Sequence, residues 1–397
     1  MSLTNTPSAN RLHIGIFGKR NSGKSSLLNA ITGQEIALVS DVKGTTTDPV
    51  SKAMEIYPIG PCLLIDTAGF DDTGDLGSMR MEKTKAVLDK TDIAIVVFTD
   101  MQMESEAQWI AMLKQRRIPV LAVINQIDRM EQVQEIKRQI EQRFSLNPLL
   151  VSAKEKTGIS QIKNEILRLM PPDFEAESLT GSLVQPEDVV LLVMPQDKQA
   201  PKGRLILPQV QTIRDLLDHH CVVMCVTTEQ LPAALKALAK PPKLMITDSQ
   251  VFAQVYPFKP AQTLLTSFSI LLAAYKGDLP TFVQGANALD SLTDNSHVLI
   301  AEACTHAPLQ EDIGRVKIPN MLRNKYGEHL RVTIVSGSEF PQDLSEYQLI
   351  IHCGACMFNR KHVLTRVEQA KRQGIPITNY GVVLAKLTGI LDQIFMQ

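Results

Sequence analysis

Two groups of residues in this sequence have the types and the spacing that phosphate binding and metal binding require. In the first, GKRNSGKSS, Gly18 is followed after four residues by Gly23, Lys24 and Ser25. The group lies between HIGIF, which has the character of a buried strand, and an apolar pattern of helical period, and this is the context of a Walker A loop. We expect Lys24 to reach the β- and γ-phosphates of a nucleotide and the Ser25 hydroxyl to bind Mg²⁺. The other loop residues expected at the nucleotide are Asn21, Ser22 and Ser26.

The second group is split between two places in the chain. IIHCGACMFNR contains His352, Cys353 and Cys356, and EACTH contains Cys304 and His306. Each stretch follows an aliphatic run typical of a strand, and parallel strands place their carboxyl ends at one edge of a sheet. If the two strands run the same way, the five side chains lie near one crevice. These ligand types suit a Cys₃His zinc site or an iron–sulfur cluster, and the chemistry alone leaves both open.

Further phosphate and magnesium motifs follow the glycine-rich loop. LLIDTAGF begins as a buried strand that ends in Asp66-Thr67-Ala68-Gly69; Asp66 can hold Mg²⁺ through water, and the Gly69 N–H can sense the γ-phosphate. In VKGTTTDPV, Thr45 or Thr46 can supply the Mg²⁺-binding hydroxyl of a switch segment. The residues expected to take part in nucleotide hydrolysis are Lys24, Asn21, Asp66 and Gly69.

A base-recognition motif comes next. VLAVINQID ends in Asn125-Gln126-Ile127-Asp128, and the Asp128 carboxylate can accept hydrogen bonds from guanine N1 and N2, which adenine does not offer. VSAK then provides the last residues expected at the base, Ser152, Ala153 and Lys154. A tetrad of this kind says little alone, but after a P-loop and DTAG it predicts a GTPase.

The order of these motifs resembles the translation-factor-related GTPases, and GTTTD resembles the GTTRD of the tRNA-modifying MnmE and Era-like branch. That resemblance implies that Asn21 helps to bind a potassium ion, which would neutralise charge developing between the β- and γ-phosphates. The alternative is that Asn21 is a turn residue, a role that asparagine favours. The branch usually has lysine where Gln126 stands, so guanine affinity is expected to be weaker.

The remaining pattern predicts an α/β protein of three domains. Pro171 and Pro172 end the last helix of a P-loop domain, residues 1–172, which we expect to have a mostly parallel sheet with helices on both faces. Alternating strands and helices then form a small α/β domain, residues 173–265, assigned to structure or self-association, and an α/β metal-binding domain, residues 266–397. Cys221 and Cys225 of the middle domain are expected to pack in its core.

Composition favours a soluble cytoplasmic protein. The chain has 397 residues, is 44% hydrophobic and carries a net charge of −1. It contains no apolar run that would span a bilayer and no signal-peptide core, so no membrane partner is expected. Residues 266–397 contain 12 Lys and Arg against 12 Asp and Glu, and this balance argues against a nucleic-acid partner.

Stretches across nearly the whole chain resemble the FeFe-hydrogenase maturation GTPase family HydF. Among them are APKGRLILPQVQTIRDLLD, EACTHAPLQEDIGRVKIP and LIIHCGACMFNR. The resemblance implies a GTPase domain, a dimerisation domain and a cluster domain, and a homodimer or higher homo-oligomer. It implies a 4Fe–4S cluster bound by Cys304, Cys353 and Cys356, with His306 or His352 as a ligand or a neighbour of the fourth iron. The alternative for each histidine is a hydrogen-bonding residue at a strand end.

The same resemblance implies a scaffold function. The protein would receive a di-iron precursor made with the radical-SAM maturases HydE and HydG, and would deliver it to apo FeFe-hydrogenase. Two other functions fit the sequence less well: a regulatory RNA- or ribosome-associated GTPase with a structural zinc site, and a redox enzyme that uses the CxxC pair.

Overall fold

In the computed structural model of the protein, which describes residues 6–33, 50–67, 86–171, 174, 178–195, 205–303 and 312–394, the chain divides after Ala176. The first unit is Met1–Ala176 and the second is Glu177–Gln397. Each unit has its own sheets and its own core.

A six-stranded sheet forms the centre of the first unit. Its strands are β1 (Leu12–Gly18), β2 (Val50–Ile56), β3 (Gly60–Asp66), β4 (Ile93–Phe98), β5 (Val120–Ile124) and β6 (Leu149–Leu150). The spatial order is β2-β3-β1-β4-β5-β6, and every neighbouring pair is parallel except β2 with β3. The predicted mostly parallel sheet is therefore confirmed.

Helices cover both faces of this sheet. They are α1 (Lys24–Thr32), α2 (Glu104–Gln115), α3 (Val133–Phe144) and α4 (Ile159–Leu169). Apolar residues of α1 and α4 pack on one face, where they join Ile14 and Ile16 of β1. Those of α2 and α3 pack on the other face with Phe17. Successive residues of a strand point to opposite faces, so one continuous apolar strand serves both cores.

The second unit contains two four-stranded parallel sheets. The first has the order β10-β9-β7-β8 and the second β12-β11-β13-β14. The strands are β7 (Val189–Val193), β8 (Val222–Val226), β9 (Leu244–Thr247), β10 (Leu264–Ser267), β11 (His297–Ala301), β12 (Arg331–Val335), β13 (Leu349–His352) and β14 (Ile377–Asn379). The predicted boundary between residues 265 and 266 falls inside β10.

Eight helices of the second unit follow or connect these strands in the part of the chain that the structure describes. They are α5 (Leu207–Asp218), α6 (Leu231–Ala237), α7 (Phe252–Val255), α8 (Phe268–Lys276), α9 (Leu279–Ala286), α10 (Ile318–Tyr326), α11 (Arg360–Arg372) and α12 (Tyr380–Leu387). None of the helices within the described ranges is long and apolar enough to cross a membrane.

Helix α8 joins the cores of the two sheets. Phe268, Leu271 and Leu272 pack with the middle sheet, while Ile270 and Ala273 pack in the cluster that contains β11 and β13. A helix that contacts apolar surroundings on all sides is expected to be apolar all round, and FSILLAAYK is.

Strand β8 lies at an open edge of the middle sheet. Val222 is 57% exposed, and Cys225 is exposed as well, whereas Cys221 just before the strand is buried. The expectation that both cysteines pack in the core is confirmed for Cys221 and wrong for Cys225. The apolar run VVMCV has the composition of a central strand. Its position at the end of the sheet, however, leaves one of its sides without a neighbouring strand.

Candidate functional site

The phosphate loop connects β1 to α1. Gly23 stands directly before α1 with φ 80°, a left-handed conformation that glycine adopts without steric cost. A Cβ at this position would lie 2.5 Å from Asn125 Nδ2, so the close approach of the base-recognition loop also requires glycine. The loop is thus shaped by its own glycine and by a residue more than a hundred positions later.

Lys24 lies on the first turn of α1 and points back along the loop. Its Nζ donates to the carbonyls of Gly18 at 3.0 Å and Lys19 at 2.7 Å. Asn21 is exposed on the same loop in the left-handed conformation, with φ 59°. The ammonium is therefore held at the loop where the predicted phosphates would bind, and Asn21 is accessible from solvent.

Ser25 and Asp66 meet at the predicted magnesium site. Ser25 Oγ donates to Asp66 Oδ2 at 2.6 Å. Burial raises the pKa of Asp66 from its ordinary value, and the hydrogen bond from Ser25 partly opposes that rise. Among the described residues, the buried Oδ1 of Asp66 has no hydrogen-bond partner. A free carboxylate oxygen beside a hydroxyl fits a hydrated Mg²⁺ ion.

The base-recognition residues form a connected group. Asn125 Nδ2 donates to the Ser22 carbonyl at 3.0 Å, and its Oδ1 accepts from Ala153 N at 3.1 Å. Asp128 is exposed, and its Oδ1 accepts from Ser152 Oγ at 2.6 Å, a bond that lowers the pKa of Asp128. Its carboxylate is thereby kept charged for a ligand that donates hydrogen bonds. Lys154, the remaining predicted residue, is exposed nearby in sequence.

Gln126 adds a contact that the sequence did not predict. Its Nε2 donates to the Asn21 carbonyl at 3.0 Å and so connects the base-recognition loop to the phosphate loop. The residue adopts a left-handed conformation, φ 63°, which directs its side chain there. Gln126 was noted only as a departure from lysine, and its partner lies too far away in sequence for a local pattern to show it.

The cysteine loop, residues 353–359, follows directly after β13. β11 and β13 are parallel neighbours, with Ala301 in register with His352, so the condition for a shared crevice is confirmed. Cys353 Sγ accepts a hydrogen bond from Ala303 N at 3.0 Å and another from Ala355 N at 3.4 Å. Burial, the largest cause, raises the pKa of Cys353 to about 11. Backbone N–H donors to sulfur are the surroundings of a thiolate ligand in an iron–sulfur site.

Some of the predicted ligands lie outside the described residues. Cys304 and His306 are two of these, together with the switch residues Thr45, Thr46 and Gly69. Among the residues that the structure describes, no group of three or more His, Cys, Asp or Glu side chains is placed to hold a metal. The chain leaves the described part at Ala303, whose N–H contacts Cys353 Sγ, and Cys304 is the next residue in the sequence.

His352 is buried, and both of its ring nitrogens have protein partners. Arg366 Nη1 lies 3.1 Å from His352 Nε2, and because arginine only donates, Nε2 accepts. The other nitrogen, Nδ1, then donates to the Cys353 carbonyl at 2.8 Å. Burial lowers the pKa of His352 to about 3. These contacts favour the alternative, a hydrogen-bonding residue at a strand end, over a cluster ligand.

A second buried cation contacts the cysteine loop. Lys276, the last residue of α8, donates to the carbonyls of Ala355, Cys356 and Phe358. The sequence analysis missed this residue. A signal was present, since Lys276 is the one charged residue in the otherwise apolar helix FSILLAAYK, but only the structure shows which loop it contacts.

Models of three protein domains match the chain. The hydrogen maturase F dimerization domain matches residues 179–277, and the hydrogen maturase F tetramerization domain matches residues 280–396. Together these two cover more than half of the chain. The protein belongs to the hydrogen maturase F family. A third model, named 50S ribosome-binding GTPase, matches residues 13–126, so the chain has the GTPase, dimerization and tetramerization domains of HydF. The predicted family and the α/β architecture are confirmed.

Curated relatives match the GTPase part. The tRNA modification GTPase MnmE of Flavobacterium johnsoniae is 33% identical over 190 residues, which is 46% of this chain and 39% of that protein. GTPase Der of Wolinella succinogenes is 35% identical over 172 residues, 40% of this chain and 36% of that protein. The chain thus spans about two fifths of the length of these relatives.

Solved structures of GTP-binding proteins also align with part of this HydF chain. Era of Aquifex aeolicus, 17% identical, aligns over 57% of the chain and 98% of its own length with a TM-score of 0.37. A probable GTP-binding protein engB, 19% identical, aligns over 40% of the chain and 97% of its own length with a TM-score of 0.34. With both TM-scores below 0.5, neither bears on the activity of HydF.

Proposed function

We propose that this HydF protein hydrolyses GTP and carries a 4Fe–4S cluster on Cys304, Cys353 and Cys356. It would receive a di-iron precursor from the radical-SAM maturases HydE and HydG and deliver it to apo FeFe-hydrogenase. The observation that supports this most is the hydrogen bond from Ala303 N to Cys353 Sγ, because it connects the ends of the two strands that carry the cysteines.

The GTPase half of the proposal rests on the P-loop geometry. Lys24 would leave the carbonyls of Gly18 and Lys19 for the β- and γ-phosphates, where its charge stabilises the transition state. Ser25 and Asp66 would hold Mg²⁺, with Thr46 or Thr45 as the switch hydroxyl and Gly69 N–H at the γ-phosphate. Asp128 would select guanine, and Asn125 would keep the phosphate and base loops together.

The potassium role of Asn21 gives a direct test of this half. Exchanging K⁺ for Na⁺ at equal ionic strength is expected to slow GTP hydrolysis on the order of tenfold, because a charge at the transition state is withdrawn. Phosphate release by the wild type and by Asn21→Ala measures this. Asn21→Ala should be slow in both salts, and equal wild-type rates in KCl and NaCl would remove potassium from the mechanism.

The cluster half of the proposal needs three thiolates at one place. Cys353 and Cys356 are close in sequence at the end of β13, and the chain reaches Cys304 directly after Ala303. A cluster held by three cysteines supplies an iron with an exchangeable position, to which a di-iron unit can attach. His306 is the remaining imidazole candidate for that position, since His352 contacts Arg366 and the Cys353 carbonyl.

Self-association of the chain is part of the proposal. The family model over residues 179–277 is a dimerization domain, and this segment contains β8. β8 is an edge strand with exposed apolar side chains, the kind of strand that pairs with a second copy. We therefore expect a homodimer or a higher homo-oligomer.

Metal analysis after anaerobic reconstitution with iron and sulfide tests the proposed function. The protein should take up about four irons per chain and give a reducible cluster signal in electron paramagnetic resonance. The competing function, a regulatory GTPase with a structural zinc site, predicts stoichiometric zinc after purification and no iron uptake. That result would contradict the scaffold function while leaving the GTPase domain in place.

A further inference from the structure

One buried lysine, Lys276, donates hydrogen bonds to the main chain of the cysteine loop. Lys276 is 1% exposed, and its Nζ lies 2.9 Å from the Phe358 carbonyl, 3.2 Å from the Cys356 carbonyl and 3.3 Å from the Ala355 carbonyl. Ala355 is itself buried in a left-handed conformation, φ 51°, where L-residues are uncommon. Three hydrogen bonds from one charged donor can hold the loop in such a conformation.

Among the described residues, the hydrogen bonds of Lys276 go to the main chain of the cysteine loop and not to a carboxylate. An ammonium group has three donors, and all three are directed at neutral main-chain carbonyls. Burying a cation is costly unless a negative group compensates it. Thiolates that bind a metal cluster provide that compensation.

Arg366 is another buried cation that contacts the same loop. It is 2% exposed, and its guanidinium lies over the rings of Phe358 and Phe340 at 4.8 and 4.9 Å. Its Nη1 lies 3.1 Å from Nε2 of His352, the residue before Cys353, and its Nη2 donates to the Gly337 carbonyl at 2.6 Å. The loop thus contacts two buried cations on two different helices, α8 and α11.

We propose that Lys276 is a positioning residue for the iron–sulfur cluster: it fixes the main chain of the cysteine loop and supplies the buried positive charge that balances the thiolate-bound cluster. This inference rests on the proposed cluster-binding function. A cation close to the cluster stabilises the reduced, more negative state. Lys276 therefore sets both the shape of the site and its reduction potential.

Lys276→Met is the variant that tests this role, because methionine keeps an unbranched apolar stem and removes the charge and the donors. Lys276→Arg keeps the charge. The matched control is Lys386→Met on α12, whose Nζ donates to Asp290 Oδ2 at 2.6 Å and Asn287 Oδ1 at 3.2 Å, partners that lie outside the cysteine loop. For each full-length variant we would measure thermal unfolding without metal, iron content after anaerobic reconstitution, and the midpoint potential by redox titration monitored by electron paramagnetic resonance.

We expect Lys276→Met to unfold at a lower temperature than wild type and to retain less iron. Its remaining cluster should be at least tenfold harder to reduce, a shift of about 59 mV to more negative potential for a one-electron couple. Lys276→Arg should restore most of the potential, and Lys386→Met should match wild type.

Three results would overturn the inference in distinguishable ways. If wild type takes up no iron, the proposed cluster function itself fails, and the role of Lys276 fails with it. If wild type takes up iron and Lys276→Met has the wild-type potential, Lys276 does not supply the charge, even where stability falls. If Lys276→Arg behaves as Lys276→Met in potential while retaining the same iron content as wild type, positive charge is not what the site requires.

Discussion

Replacing Lys24 with alanine is expected to abolish GTP hydrolysis and to leave unchanged the iron binding proposed for the second unit. The Lys24 ammonium lies on the first turn of α1 and contacts two carbonyls of the phosphate loop. Withdrawing a preorganised charge from a transition state that accumulates negative charge costs on the order of a thousandfold in rate. Single-turnover and steady-state phosphate release with saturating GTP would measure the loss.

The fold should survive this change. Lys24 is only half-buried, and in the structure it donates to Gly18 and Lys19 carbonyls of its own loop. Lys137→Ala is a suitable control, since Lys137 lies on α3 in the same unit and makes a surface ion pair with Glu141 at 3.8 Å. That pair contributes little to stability. Lys24→Ala with a rate near wild type would contradict the P-loop assignment, and an equal fall in iron content would show that the two activities are not separable.

The second large effect is expected at Cys353. Cys353→Ser should prevent stable uptake of the 4Fe–4S cluster, so that reconstituted protein holds far less than the about four irons expected for wild type. The sulfur accepts N–H bonds from Ala303 and Ala355 and follows directly on β13. A serine oxygen is a harder ligand and its shorter bond does not reach the same position. Iron and sulfide analysis with electron paramagnetic resonance would record the loss.

Cys225→Ser supplies the matched control for that experiment. Cys225 is a free cysteine of the same unit, but it is exposed on the edge strand β8, outside the loop that follows β13. The same chemical change there should leave iron content and GTP hydrolysis at wild-type values. If Cys353→Ser and Cys225→Ser bind iron equally well, Cys353 is not a cluster ligand.

Motifs and strand–helix patterns that are local in the sequence predicted a large part of the fold and of the candidate site. The P-loop, DTAG and the tetrad ending at Asp128 each follow a buried strand, and strand-to-loop junctions are local features that sequence shows directly. The alternation of strands and helices likewise predicted the mostly parallel sheet of the first unit and the α/β architecture of the second. The sequence left open whether the strands that precede the two cysteine segments run the same way, and β11 and β13 are parallel neighbours.

The features that the sequence did not predict depend on contacts between residues that are far apart in the chain. Cys225 is exposed because β8 is an edge strand, and position within a sheet is set by the whole topology. Helix α8 is apolar on all sides because a second sheet covers its far side. Lys276 contacts a loop 79 to 82 residues later in the chain, and no periodicity or motif connects positions that far apart.

Lys276 is also where two segments of the chain depend on each other. It is next to last in the segment that matches the dimerization domain, residues 179–277, yet its ammonium serves a loop in the segment that matches the tetramerization domain, residues 280–396. A fragment expressed from residue 280 onward would keep all three cysteines and lose the group that shapes their loop. If the proposed cluster site is to be expressed or grafted separately, the fragment must therefore begin before α8, so that it includes Lys276.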